Sequence, residues 1–225
     1  DSGILGVYVQ GKKDDLTPFT IEEIQFLTNV TGFGAISIEN ANFYRRAITD
    51  RMTKLFNHHQ FEKTLEEYIQ KADCINLLGG HLPTGNAFIN ELNLRELIKD
   101  YNGVIIGASG GAMNMADVVY CKPEAEGEFA NKTFNRYLKG LGLTNINIIP
   151  HYYLIKDKTL DGGRIIEDII APDTYKTPML VLPDGSYIVQ EGETKTLYGE
   201  AYLLKNEKLT LICKNNEKVN LKNIL

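Results

Sequence analysis

Residues 107–116 read GASGGAMNMA and follow directly on the apolar run GVIIG at 103–107. A chain that leaves an apolar strand through small residues, with one serine among them, admits two readings. One is an ordinary glycine-rich turn from strand to helix. The other is G-x-S-x-G over Gly107–Gly111, a sharp turn that holds the Ser109 hydroxyl out at the end of the sheet. Flanking glycines then remove the Cβ clashes that such a turn creates. The amide after the serine would face the place where an oxyanion forms, and the following helix start adds partial positive charge.

Neighbouring stretches can be read against that turn. DCINLLGG at 73–80 is a short apolar strand ending in Gly79-Gly80. In an open parallel sheet the carboxyl ends of adjacent strands line one crevice. The amide of Gly80 can therefore approach the same oxygen as the amide of Gly110, which gives an oxyanion hole of two donors. His151 in NIIPHYY also follows a strand, and it is the only histidine downstream of Ser109. A serine hydroxyl needs a base within hydrogen-bond reach, and imidazole has a suitable pKa near neutrality. An acid should orient the ring. The loop CKPEAEGEF at 121–129 offers Glu124, Glu126 and Glu128; Glu124 is taken first, with Glu126 behind it. His81, next to Gly80, is read as a pocket or loop residue, and His58 and His59 as solvated helix-start residues.

The segments after residue 72 alternate strand and helix. LPTGNAFINELNLRELIKDY at 82–101 carries helical periodicity through Phe88, Leu92, Leu94, Leu97 and Ile98. GVIIG has no polar alternation, as expected of a parallel strand covered by helices on both faces. LTNINIIPH at 143–151 is a further strand and GGRIIEDIIA at 162–171 a short helix. From residue 179 onward three or four short strands are separated by Asp-Gly, Glu-Gly and Asn-Glu turns, with Pro183-Asp184-Gly185 a strong turn signal. The expected fold class is α/β: a doubly wound, mostly parallel sheet with an antiparallel C-terminal edge. The expected division is 1–71 and 72–225. In the first part ILGVYVQG reads as a strand. Thr20 and Glu23 have the spacing of a capping box. Ile24, Leu27, Val30, Ile38 and Ala41 fall near a helical period, and HQFEKTLEEYIQKA at 59–72 forms a second helix.

Composition narrows the chemistry. With 225 residues and 43% hydrophobic residues a real core is available. A net charge of −5 argues against a nucleic-acid partner, and no apolar stretch approaches the ~20 residues of a membrane span. Cys74, Cys121 and Cys213 form no C-x-x-C pair, which fits a reducing compartment. The first residues lack a basic start and an apolar signal core, so a cytoplasmic chain is expected. Four histidines without paired-cysteine or H-E-x-x-H spacing give no zinc site.

Two resemblances sharpen these expectations. LGVYVQGKK and FTIEEIQFLTNVTGFGAISIENANFY resemble the last strand and exit helix of a GAF sensory domain. ITDRMTKLFNHHQFEKTLEE is similar to the start of a GGDEF diguanylate cyclase domain through Asp50, Thr53, Leu55, Asn57 and Phe61; Met52 replaces a leucine, and no G-G-[DE]-E-F follows. This likeness implies a helical segment without catalysis; a homodimer formed through that helix goes with the alternative of a scaffold chain. LLGGHLPTGNAF, GVIIGASGGAMNMAD and GLGLTNINIIPHY resemble the dipeptidase E and cyanophycinase group of serine peptidases, which share the class I glutamine amidotransferase-like fold. The likeness extends over about residues 65–205, through LDGGRIIEDI and LPDGSYI…TLYGEAYL. It implies Ser109 as nucleophile, His151 as base, Gly80 and Gly110 as oxyanion donors, and the acid at or near Glu124. It implies a small peptide as substrate, with no cofactor and no metal. Gly110 stands where that group usually has alanine. Its further strand–helix units before the Gly-Gly strand are replaced here by the GAF/GGDEF-like piece. The alternative expectation is a non-catalytic signalling or scaffold chain.

Overall fold

Thr20 and Glu23 do what their spacing predicts. The Glu23 amide donates to Thr20 Oγ1 at 3.2 Å and the Thr20 amide to Glu23 Oε2 at 2.8 Å, closing the capping box that starts helix α1, Ile21–Ile48. Glu22 and Glu23 in its first turn and Arg45 and Arg46 in its last complement the helix dipole. No residue of α1 is buried, so its period is helical without serving a core. A tight loop follows, in which Asp50 Oδ1 accepts from the Thr53 amide at 2.7 Å. Asn57 Oδ1 accepts from the Gln60 amide at 3.0 Å at the start of α2, His58–Lys71. These contacts give Asp50, Thr53 and Asn57 a local turn-and-cap role.

The computed structural model describes residues 9, 11–14, 17–50, 53, 55 and 57–224. The chain divides into two compact units, Asp1–Tyr68 and Ile69–Leu225. The strand expected over ILGVYVQG lies almost wholly outside the described residues. Among the described residues no helix is long and apolar enough to cross a membrane.

The second unit opens with β1, Cys74–Leu77, then α3, Leu82–Glu91, and the single turn α4, Leu94–Leu97. The one helix expected over 82–101 is broken because Asn93 takes the left-handed conformation at φ 50°, ψ 37°, a state asparagine tolerates better than most residues. Strand β2, Val104–Gly107, lies parallel to β1 in the register Cys74↔Val104 to Leu77↔Gly107. It runs into α5, Gly110–Met113, a single turn where a helix start was expected. Then come β3, Val118–Tyr120; β4, Tyr137–Lys139; β5, Asn147–Ile149; and α6, Tyr152–Ile155. The small antiparallel pair β6, Thr159–Leu160, with β7, Gly163–Arg164, follows. The helix expected at 162–171 is a wide π turn over Ile165–Ile170 and a tight 3-10 turn over Ala171–Tyr175. Pro172, with no N–H to donate back, marks the change.

Strand β8, Met179–Val181, is parallel to β5 in the register Asn147↔Met179 to Ile149↔Val181. The remainder is antiparallel: β9, Tyr187–Glu191; β10, Thr194–Tyr198; β11, Ala201–Lys205; β12, Lys208–Cys213; and β13, Lys218–Asn220. The result is a mixed α/β fold with a helical N-terminal part, but its parallel ladder is not continuous. β12-β11-β8-β5 form one sheet, β13-β10-β9 another, and β1-β2 stand as a separate pair. Between β3 and β5 the Tyr120 amide donates to the Asn147 side-chain oxygen at 2.8 Å.

The core centres on β8, where Met179, Leu180 and Val181 are all 0% exposed. Alternation sends Met179 and Val181 to a cluster with Ile149, Ile166 and Ile170, and Leu180 and Leu182 to a second with Leu197, Ala201 and Leu221. Strand β2 departs from the expectation of two covered faces: Val104 is 60% and Ile106 52% exposed.

Candidate active site

The elbow begins with glycines that no other residue could replace without moving backbone. A Cβ at Gly111 would lie 2.0 Å from the Leu77 carbonyl oxygen, and one at Gly107 2.6 Å from the Ala112 Cα. The turn from β2 therefore packs directly onto β1, and the Ala108 amide continues the ladder to the Leu77 carbonyl at 2.9 Å. Ser109 sits between them at φ 51°, ψ −120°. That conformation costs a non-glycine residue on the order of 1–3 kcal/mol, and it is what turns the hydroxyl away from the chain's own path. Of the two readings of GASGG, the strained elbow is the one found.

Gly80 lies against Gly110. A Cβ at Gly110 would stand 3.0 Å from the Gly80 carbonyl oxygen and 3.6 Å from its nitrogen, so an alanine there would push that loop by a few tenths of an ångström. Among the described residues no backbone carbonyl accepts from the amide of Gly80 or of Gly110.

His151 follows β5 and Pro150, and it too takes a left-handed conformation, φ 63°, ψ 40°. Its Nε2 is 2.9 Å from Ser109 Oγ, and its Nδ1 is 2.6 Å from Asp184 Oδ1. With Nδ1 carrying the proton it donates to Asp184, Nε2 is left to accept from the serine hydroxyl. The reason Asp184 arrives there is topological. β5 and β8 run in parallel, the Leu182 amide donates to the Ile149 carbonyl at 2.9 Å, and the Tyr152 amide to the Leu182 carbonyl at 3.1 Å. The segments just past the two strands are thus laced together, and Asp184 emerges beside His151. Tyr152 adds a ring contact with Tyr202 of β11, 4.6 Å between centroids.

Ser109, His151, Gly80 and Gly110 meet around one cavity of about 50 Å³, with Leu82, Met113, Lys122, Glu124, Pro150 and Ile155 completing its wall. The acidic loop does not meet the imidazole. Glu124 is in the cavity wall, but its carboxylate accepts from Lys122 Nζ at 2.7 Å. Glu128 accepts from the amides of Ala125 and Glu124, which hold its carboxyl below the ordinary range. Glu126 is exposed. The ring nitrogen Nδ1 faces Asp184 in place of Glu124, because β5 and β8 are hydrogen-bonded neighbours. The dipeptide Asp184-Gly185 was visible as a turn; what its place after a strand parallel to β5 adds is a carboxylate aimed at the base. His81 Nδ1 pairs locally with Thr84 Oγ1 at 2.8 Å, and His58 with Glu62 at 3.3 Å. Among the described residues no group of three His, Cys, Asp or Glu is placed to hold a metal ion.

The sequence profile described as Peptidase family S51 matches residues 38–198, which includes every residue of this cavity. The crystal structure of a peptidase from an acI-B1 Actinobacterium is similar in fold, with a TM-score of 0.50 and 18% identity over 70% of this chain. This chain spans 63% of the length of that protein. No curated protein sequence matches. Neither comparison bears on the likeness of the first segment to GAF and GGDEF domains.

Proposed function

The chain belongs to peptidase family S51, and on that premise we propose that it is a serine peptidase acting on small peptides in the manner of dipeptidase E. The observation that carries this reading is the 2.9 Å approach of His151 Nε2 to Ser109 Oγ on a strained elbow.

In this mechanism His151 Nε2 takes the hydroxyl proton as Ser109 Oγ attacks the scissile carbonyl carbon. The carbonyl oxygen becomes an oxyanion and accepts from the amides of Gly80 and Gly110; preorganised donors of this kind contribute roughly 3–4 kcal/mol each to transition-state stabilisation. Asp184 keeps the imidazole in the required tautomer and stabilises the cation that forms. The protonated Nε2 then gives its proton to the leaving amine as the C–N bond breaks, which leaves Ser109 acylated. Water attacks the ester with His151 again taking a proton, and collapse returns that proton to Ser109 Oγ and frees the carboxylic acid.

A fluorophosphonate probe tests the reading. Wild-type protein should be labelled at Ser109 and Ser109→Ala should not. Equal labelling of both, or a folded wild type that takes none, overturns it. A panel of dipeptides followed by mass spectrometry then reads the substrate preference.

A further inference from the structure

The cavity wall stands on two helices whose first residues flank the candidate oxyanion donors. Gly80 lies just ahead of α3, and Gly110 is the first residue of α5. α5 is one turn long and its N-cap, Ser109, makes no side-chain capping bond. A chain of side-chain amides ties its start to α3. Asn90 Nδ2 donates to Asn86 Oδ1 at 3.1 Å, Asn86 Nδ2 to Asn114 Oδ1 at 2.8 Å, and Asn114 Nδ2 to the Gly110 carbonyl at 2.9 Å. That carbonyl also receives the Asn114 backbone amide at 3.1 Å. Asn86 has a second anchor, donating to the Lys139 carbonyl of β4 at 2.9 Å.

Asn86 is 5% and Asn114 3% exposed, on segments whose Leu82 and Met113 are buried as well. Buried amides are retained in such a setting only when their bonds are made, whereas apolar groups of the same shape would fill the space without that constraint. The donors all run in one direction, so each bond polarises the next. The two helices are close neighbours here: a Cβ at Gly85 of α3 would stand 3.9 Å from Asn114 Nδ2, in ordinary van der Waals contact.

We infer that Asn86 and Asn114 are positioning residues that staple α3 to α5 and so set the separation of the Gly80 and Gly110 amides. The inference rests on the peptidase reading, and it adds the element that holds the oxyanion donors at their working distance. Neither asparagine touches the reacting atoms. Their effect passes through the Gly110 peptide and through the spacing of the two helix starts.

The test is the rate of fluorophosphonate labelling at Ser109 in wild type, Asn86→Leu, Asn114→Leu and the double variant, with thermal unfolding measured on each. The single variants leave a buried amide without its partner and should lose both stability and rate. The double variant removes both partners together and should recover stability toward wild type. Its labelling rate should still fall by about tenfold to a hundredfold, the scale expected of a misplacement near 1 Å. The pH midpoint of labelling, which reports the Ser109–His151 pair, should not move. A stable double variant that labels as fast as wild type overturns the inference and leaves the peptidase reading intact. A shifted midpoint also overturns it, because the disturbance would then lie at the base. A folded wild type that takes no label at Ser109 overturns both.

Discussion

β5 and β8 form a parallel pair inside the core, whereas β1 and β2 form a parallel pair with one face open. Ile149, Leu180 and Val181 are 0% exposed, while Val104 and Ile106 on β2 are more than half exposed. Yet each pair ends in half of the site: Gly80 and Ser109 after β1 and β2, His151 and Asp184 after β5 and β8. Two kinds of support therefore converge on the same cavity. The base side is held by hydrophobic burial in a four-stranded sheet. The nucleophile side is held by glycine contacts that admit no Cβ and by buried amides, which fix geometry without a large core.

The sharpest break would come at the acid. Asp184→Asn should slow Ser109 labelling by about 10²–10⁴, since the imidazole would lose the partner that sets its tautomer. Glu124→Gln should change it by less than about tenfold, its carboxylate being engaged by Lys122. The reverse order would put the orienting acid back on the 121–129 loop.

The next prediction compares the two strand pairs directly. Ile149→Ala removes a fully buried side chain and should lower stability by about 2–5 kcal/mol in denaturant unfolding. Ile106→Ala, at a position 52% exposed, should lower it by less than about 1 kcal/mol. Equal losses would mean that the open face of β2 is covered in solution.

Gly111→Ala tests the nucleophile side. Its methyl group would meet the Leu77 carbonyl at 2.0 Å, so the elbow must move. A loss of about 1–3 kcal/mol and a severe fall in labelling are expected. Stability loss with unchanged labelling would separate the elbow from the chemistry.

The smallest effect concerns thiols. Cys74, at the exposed start of β1, should react with iodoacetamide at pH 8. Cys121 is 0% exposed and burial pushes its thiol up to about 11, so the reactive thiolate is scarce and native protein should leave it unmodified by peptide mapping. Fast alkylation of Cys121 would reveal an opening of the wall near Lys122.

Much of this was legible along the chain because it depends on near neighbours. The capping box needs only Thr20 and Glu23 three residues apart, and the elbow needs only small residues around Ser109. Alternating strands and helices follow from apolar runs and their periods. The division of the sheet was not legible, because which strands pair is set by packing between segments distant along the chain. The open face of β2 was hidden as well: an apolar run states that burial is favourable, not that a neighbour is there to supply it.

The sequence alone named the residues that could do chemistry: a serine on a glycine-rich turn after one strand, a histidine after another, and glycines at two strand ends. Only the tertiary structure decided which carboxylate faces the imidazole. Asp184 outranks Glu124 there because the hydrogen-bonded register of β5 and β8 puts their ends side by side, and register between strands some thirty residues apart is a property of packing that no local pattern encodes.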